Sequence, residues 1–293
     1  MRRIPVAFVA CLLIAGGTAP GSSRAAYAAR SARAATGSFG TGLVDVGGFK
    51  LFLTCSGNGS PTVILDSGAG GDSSNWASVQ LEVAKVTRVC SYDRAGDGSS
   101  NPGPKPRSSQ RVVDELHTLL GRAHVSGPYV LAGWSIGGMN MQLYAFTHRP
   151  SVVGLVLVDS VYPGMFTPPS QCSRLFATWL AQDNLIGLGA PAGADEASAA
   201  YHGGADAVRA SQRSLGHMPL AVLTRSTFDV PGLGACWQNA QRNALHLSSN
   251  SQFLVVPQSD HFLPPNHPDA VAGAIAKTVS AARKHGALGA LNG

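Results

Sequence analysis

Short apolar segments alternate with amphipathic helical stretches along most of this chain. Several of the segments are continuous apolar runs, such as residues 63–65 and 155–158, which are typical of strands covered on both faces. The clearest helical stretch, residues 109–124, carries one apolar stripe. The alternation predicts an α/β fold, a mostly parallel sheet with helices on both faces. The expected strands are Leu43–Val46, Lys50–Cys55, Thr62–Asp66, Arg88–Asp93, Tyr129–Trp134, Val153–Asp159, Pro219–Thr224 and Gln252–Pro257.

Residues 161–217 interrupt this alternation. The segment is rich in Ala, Gly and Pro, shows no strand pattern and is longer than an ordinary connection. We therefore interpret it as a small, mainly helical insertion in one globular domain of residues 42–293. A chain of 293 residues with 44% hydrophobic content can bury a sizeable single core.

The N-terminus has the pattern of a secretory signal. Arg2 and Arg3 precede an apolar stretch at 4–17, and Ala26-Tyr27-Ala28 fits a cleavage site. We expect a signal peptide at 1–28, a disordered leader at 29–41, and a secreted or cell-envelope protein without a stable membrane anchor. Without the arginines of this segment, the formal charge of +6 falls to about +3. Such a balance does not favour a nucleic-acid partner.

Residues 133–137 fit the pattern G-x-S-x-G, with Ser135 at its centre. An expected strand precedes the pattern, and a plausible helix follows it from Ile136 to His148. A serine on such a tight strand-to-helix turn projects its hydroxyl above the sheet. We therefore predict that Ser135 is a nucleophile, which needs a neighbouring base to take its proton.

Of the nine histidines, His261 has the most suitable position for that base. It follows the last expected strand and precedes a terminal helix near Pro268, so its loop can return to Ser135. Two aspartates could orient its imidazole. Asp159 ends the strand after that of the nucleophile, and Asp229 follows the next one. Both fit the order Ser, Asp, His, so the residues alone leave this choice open.

An oxyanion needs backbone donors, and two amides are candidates. One belongs to Ile136, directly after the nucleophile, and the other to Ala69 in the glycine-rich turn 67–71. No metal-ligand spacing or phosphate-binding loop is recognisable, so we expect neither a metal nor a cofactor. Four cysteines follow the signal segment, and an even count in an exported chain favours disulfides. Three pairings remain open.

These motifs together resemble the α/β-hydrolase superfamily, and within it a bacterial branch of secreted, lid-bearing serine hydrolases. The resemblance covers roughly residue 61 to the C-terminus, apart from the insertion. It is carried by Asn75-Trp76, Val79-Gln80, Arg88-Val89-Cys90-Ser91-Tyr92-Asp93-Arg94-Ala95-Gly96, Glu115-Leu116-His117, Gly127-Pro128-Tyr129-Val130-Leu131, Gly154-Leu155-Val156-Leu157-Val158-Asp159-Ser160 and Ser259-Asp260-His261-Phe262.

The resemblance implies an eight-stranded sheet of order 1-2-4-3-5-6-7-8 with a lid after strand 6. This order implies disulfides Cys55–Cys90 and Cys172–Cys236. It also favours Asp159 over Asp229, because the loop after strand 7 in this branch usually carries no regularly placed acid. The chain departs from the family at Trp134 and Ser67, where histidines are common. Asp93 and Arg94 match a family motif that we interpret as a structural turn.

The activity implied is ester hydrolysis through an acyl-enzyme, with a small acyl compound as substrate. A serine nucleophile disfavours epoxide hydrolase and haloalkane dehalogenase chemistry, in which an aspartate occupies that place. Hydrolysis of amide, thioester or carbon–carbon bonds remains an alternative. So does a catalytically silent protein that keeps the pocket to bind a ligand. The sequence does not determine the oligomeric state.

Overall fold

The structure is a computed structural model that describes residues 40–162, 165, 171–187 and 213–292, with the backbone alone at 180–187. Eight strands form one sheet in the order β1-β2-β4-β3-β5-β6-β7-β8, which confirms the predicted α/β fold. Strand β2 pairs antiparallel with both of its neighbours, and the other pairs are parallel. The strands are Thr41–Asp45, Lys50–Ser56, Thr62–Asp66, Val89–Tyr92, Tyr129–Trp134, Val152–Val158, Leu220–Thr224 and Ser251–Val255.

Seven α-helices occur within the described ranges. They are α1 (Ala77–Val83), α2 (Ser109–Arg122), α3 (Ile136–Thr147), α4 (Gln171–Gly187), α5 (Leu233–Asn243), the single-turn α6 (Leu263–Asn266) and α7 (Pro268–Lys284). The expected signal peptide lies outside the described residues, as does the leader before residue 40; β1 begins at Thr41. Most of the expected lid, 161–217, also lies outside them, and α4 is its main described part.

The core forms two layers because side chains alternate along each strand. In β3, Ile64 faces a layer that contains helices α2 and α3. Its neighbours Val63 and Leu65 face the opposite layer, which contains α1 and α7. Helix α2 shows how the sequence builds such a layer. Ser108 caps its first turn by accepting a hydrogen bond from the amide of Arg111, and the apolar stripe is buried.

Two disulfides join parts of the fold that are distant in sequence, and they are the pairs implied by the family resemblance. Cys55 and Cys90 are directly opposite each other on β2 and β4, with their Cα atoms 4.1 Å apart. Cys172 in α4 is bonded to Cys236 in α5, with a Cα separation of 5.4 Å. The second bond therefore attaches the described part of the insertion to the main domain.

The parallel strands bring their carboxyl ends to one edge of the sheet. Ser135 follows β5, Asp159 follows β6, and the loop containing His261 follows β8. Because β5 and β6 are neighbours and β8 is two strands further on, these three residues can meet above that edge.

Candidate active site

Ser135 occupies a sharp turn between β5 and α3. Its φ of 56° and ψ of −123° lie outside the regions that L-residues ordinarily occupy. The turn is possible because glycines stand on both sides of it. A Cβ on Gly133 would lie 2.4 Å from the backbone of Gly137, and a Cβ on Gly137 would lie 2.3 Å from the carbonyl oxygen of Asp66. This packing holds the hydroxyl of Ser135 at the sheet edge, next to the start of a helix.

The structure brings Ser135, His261 and Asp159 into one hydrogen-bonded chain. The distance from His261 Nε2 to Ser135 Oγ is 3.0 Å, and that from His261 Nδ1 to Asp159 Oδ2 is 2.7 Å. A carboxylate only accepts, so Nδ1 carries the proton and Nε2 can accept the proton of the serine hydroxyl. Asp229, the alternative acid, is exposed in the segment after β7.

The carboxylate of Asp159 is fully buried, and both of its oxygens have partners. Oδ1 accepts hydrogen bonds from Thr224 Oγ1 at 3.0 Å, from the amide of Arg225 at 3.1 Å and from Trp237 Nε1 at 2.7 Å. Oδ2 faces His261 and also lies 3.4 Å from Arg225 Nε. Burial alone would raise the pKa of Asp159, but the hydrogen bond from His261 and the charge of Arg225 outweigh it. The pKa of this carboxyl is therefore lowered, and the group is ionised at neutral pH.

The imidazole of His261 favours its neutral form. Burial lowers its pKa below the ordinary value, Asp159 opposes that effect, and the charge of Arg225 adds to it. The backbone of His261 is also fixed, because Trp134 Nε1 donates a hydrogen bond of 2.7 Å to its carbonyl oxygen. Trp134, noted in the sequence as a departure from the family, therefore supports the histidine loop.

Thr224, Arg225 and Trp237 are site residues that the sequence analysis missed. Thr224 is the last residue of β7 and Arg225 is the next residue, so both lie at the same sheet edge as Asp159. This position at the end of a parallel strand is the sequence signal that could have identified them. Trp237 is one residue from Cys236 in α5, and only the tertiary structure shows that its indole reaches the carboxylate.

The glycine-rich turn after β3 lies against Ser135. A Cβ on Gly68 would come within 3.3 Å of the Cβ of Ser135, so the amide of Ala69 belongs to a loop beside the Ser135 side chain. Ile136 begins α3, and the first amides of a helix have no partner within the helix. The hydroxyl of Ser67 is engaged inside the loop, where it donates to the carbonyl oxygen of Asp72 at 2.7 Å.

Arg94 clamps this loop from below. Its buried guanidinium donates to Asp66 Oδ1 at 2.6 Å, to the Ser67 carbonyl oxygen at 2.7 Å and to the Gly68 carbonyl oxygen at 2.5 Å. In a trans peptide the C=O and N–H point in opposite directions. The bond to the Gly68 carbonyl therefore turns the Ala69 amide away from Arg94. Arg94 was predicted to be a structural turn residue. Its contacts fix the orientation of the Ala69 amide, which is a candidate donor to an oxyanion.

Aromatic rings surround the imidazole. The ring centroid of Trp179 in α4 lies 5.0 Å from that of His261, and that of Trp134 lies 5.4 Å from it. Phe262, which packs on Trp134, is 43% exposed. These rings reduce the access of water to His261 and form an apolar surface near Ser135.

Neither a membrane-spanning helix nor a cluster of metal-binding side chains occurs among the described residues. Within these ranges, no helix combines the length and the apolar composition that crossing a membrane requires. Nor do any three His, Cys, Asp or Glu side chains in the same part of the chain group closely enough to hold a metal ion.

With this fold and this triad in place, comparison with known sequences identifies the class of protein. The model of the Alpha/beta hydrolase family matches residues 63–274, and the chain belongs to that family. The uncharacterized protein YqjL of Bacillus subtilis (strain 168) is 26% identical over 220 residues, which are 75% of this chain and 83% of that protein. A protein described as a probable transporter, efuK of Hormonema carpetanum, is 32% identical over 136 residues. That match covers 42% of this chain and only 20% of efuK, so the chain spans about a fifth of that relative.

Solved structures share the architecture but differ in their described chemistry. A candidate lipase, lip1 of Acinetobacter baumannii AYE, superimposes with a TM-score of 0.70 at 17% identity, over 92% of this chain and 99% of that one. The epoxide hydrolase CorEH gives a TM-score of 0.59 at 15% identity, over 82% of this chain and 98% of that one. At such identities the likeness shows the fold alone.

Proposed function

We propose that this chain is a secreted serine hydrolase that cleaves carboxylic esters through an acyl-enzyme intermediate. The observation that carries the proposal is the hydrogen-bonded chain from Ser135 through His261 to Asp159. It starts from a serine on a constrained strand-to-helix turn and ends on a buried, ionised carboxylate. This is the arrangement that a serine hydroxyl requires to become a nucleophile near neutral pH.

In the proposed mechanism, Ser135 Oγ attacks the ester carbonyl while His261 Nε2 takes its proton. The amides of Ile136 and Ala69 donate to the oxyanion of the tetrahedral intermediate, and Asp159 stabilises the imidazolium. His261 then returns the proton to the departing alcohol, which leaves Ser135 acylated. Water attacks the acyl carbonyl while His261 takes one of its protons. The bond to Ser135 Oγ then breaks, His261 returns the proton to that oxygen, and the carboxylic acid is released.

Two features favour an ester over the other chemistries of the fold. The residue at the turn is a serine, whereas epoxide opening of the family type needs a carboxylate there. The rings of Trp134, Trp179 and Phe262 also form an apolar surface near the base, which suits an apolar acyl or alcohol group.

A serine-reactive fluorophosphonate probe and graded p-nitrophenyl esters test the proposal. Wild-type protein and Ser126→Ala, which alters an exposed serine, should label and hydrolyse esters, whereas Ser135→Ala should do neither. Equal labelling of wild type and Ser135→Ala would refute the hydrolase and support a silent binding protein. A p-nitroanilide cleaved faster than every ester would assign the site to amides instead.

The proposed secretion is supported by the signal-like N-terminus and by the two disulfides, which persist in oxidising compartments. Expression of the full chain in a secreting bacterial host and N-terminal sequencing of the exported protein test it. The mature protein should begin at Ala29. A full-length protein that stays in the cells would contradict this part of the proposal.

A further inference from the structure

Arg225 is an arginine buried at the centre of the site, and the mechanism above gives it no role. Its side chain is only 2% exposed. The guanidinium carbon lies 4.5 Å from the ring centroid of Phe228, 4.5 Å from that of Trp237 and 4.9 Å from that of Trp179. A buried cation is unfavourable unless an anion or aromatic faces compensate it, and here both are present. We call these three rings, Phe228, Trp237 and Trp179, the aromatic cage.

Arg225 contacts both oxygens of the Asp159 carboxylate. Its backbone amide donates to Oδ1 at 3.1 Å, and its Nε lies 3.4 Å from Oδ2, the oxygen that accepts from His261. A positive charge therefore lies next to the bond that joins the acid to the base. Three aromatic rings also pack on the guanidinium, and its side chain is buried, so water screens its charge little.

We propose that Arg225 is a positioning residue that acts through Asp159, and that its caged charge extends the activity of the triad to lower pH. The inference rests on the proposed function, because it assigns a role within the same triad.

The sign of the effect follows from the charges around His261. Three charged groups influence the imidazole: Asp159 after β6, Arg225 directly after β7, and Asp260 in the loop that contains His261. The two carboxylates favour the imidazolium, and Arg225 disfavours it. Among the residues that the structure describes, the ring also contacts Ser135 and uncharged aromatic side chains. Because the base must be neutral to accept a proton, a charge that opposes protonation keeps it active in more acidic solution.

The charge of Arg225 can be removed without releasing the carboxylate. Three donors hold Oδ1, namely Thr224 Oγ1, Trp237 Nε1 and the amide of residue 225, and the amide remains in any substitution except proline. The His261 hydrogen bond to Oδ2 also remains. A neutral side chain at 225 should therefore change the pH dependence more than it changes the geometry.

The experiment compares Arg225→Met and Arg225→Gln with wild type, using kcat/KM for p-nitrophenyl acetate as a function of pH. Activity should fall on the acidic side of this profile as His261 becomes protonated, and we call the pH of half-maximal kcat/KM on that side the acid-limb midpoint. We expect this midpoint to rise by about one pH unit, the size typical of a nearby charge. At pH values below both midpoints this corresponds to about a tenfold loss of kcat/KM. Arg225→Lys keeps a cation and should retain a midpoint near that of wild type.

Arg242→Met is the matched control. Arg242 also stacks on one ring, with its guanidinium 4.2 Å from the Phe253 centroid, but it lies on the exposed side of α5. Its removal should leave the midpoint unchanged. An unchanged midpoint in Arg225→Met or Arg225→Gln would overturn the inference. If neither neutral variant folds, Phe228→Leu tests the inference instead. Opening the aromatic cage should admit water, which screens the charge of Arg225 and reduces its effect on His261. A raised midpoint there supports the inference, and an unmoved one overturns it.

NMR titration of the His261 imidazole in the same variants separates this inference from the proposed function, because it does not require turnover. A wild type that neither labels nor hydrolyses esters refutes the hydrolase. The titration still supports the inference if the neutral variants raise the midpoint of His261 protonation, and it overturns the inference if they do not.

Discussion

Two buried arginines lie on either side of Ser135, and their described contacts differ. Arg94 follows β4 and donates hydrogen bonds of 2.5–2.7 Å to a carboxylate and two backbone carbonyls. Arg225 follows β7, where it is stacked between rings and approaches Asp159 at 3.4 Å. Short bonds to backbone atoms fix geometry, whereas a cation among apolar rings acts mainly through its electric field. Burial of an arginine therefore does not by itself reveal its role; its partners do.

The largest effect on activity should come from removing the carboxylate of Asp159, which Arg225 contacts. Asp159→Asn replaces the carboxylate that keeps Nδ1 protonated, so His261 takes the wrong tautomer, and kcat should fall by about 10⁴. Steady-state hydrolysis of p-nitrophenyl acetate measures this loss. Asp229→Asn, which changes an exposed acid, should remain close to wild type. The reverse pattern would move the acid to Asp229 and would leave Arg225 without a role in the triad.

The next largest effect should come from the Arg94 side, and it should not depend on pH. Arg94→Met leaves Asp66 and Asp97 buried without their cation, which should destabilise the fold by about 3–5 kcal/mol. The released loop should misplace the Ala69 amide and lower kcat by about 10²–10³, as the loss of an oxyanion donor does. Thermal unfolding and complete pH profiles check both effects. A shifted acid-limb midpoint in Arg94→Met would mean that the two arginines act alike.

The smallest kinetic effect should distinguish the two disulfides. Cys172–Cys236 joins the helices that carry Trp179 and Trp237, two rings of the aromatic cage, whereas Cys55–Cys90 joins β2 and β4. Replacing either pair by serines should lower stability by about 3–4 kcal/mol. Only the Cys172→Ser/Cys236→Ser variant should also lower kcat/KM severalfold and raise the acid-limb midpoint. Equal kinetic effects of both pairs would remove the distinction.

Much of the fold could be predicted because it depends on patterns local in sequence. Continuous apolar runs marked the central strands, and the family resemblance supplied their order. The position of Ser135 followed from glycines on either side of it, and that of His261 from the end of the last strand. These features need only one segment of chain to be recognised.

The residues alone left the acid open and only the family resemblance favoured Asp159, because the acid and the roles of the arginines depend on contacts between distant segments. Asp159 and Asp229 both follow neighbouring strands, and their sequence positions do not reveal which side chain reaches Nδ1. The surroundings of Arg225 combine α4, the end of β7 and α5. A periodic pattern in the sequence predicts local helices and strands and does not predict such contacts between distant segments. Arg94 could be matched to a motif, but the motif does not indicate which carbonyl oxygens it binds.

The backbone at Ser135 has a consequence for the evolution of this chain. A non-glycine residue at such φ and ψ values costs about 1–3 kcal/mol, whereas glycine adopts them readily. Stability and the function of the hydroxyl therefore conflict at this position, because replacement by glycine relaxes the turn but deletes the hydroxyl. Selection for stability alone should favour glycine at position 135. A serine that is retained there therefore indicates selection for the function of its hydroxyl.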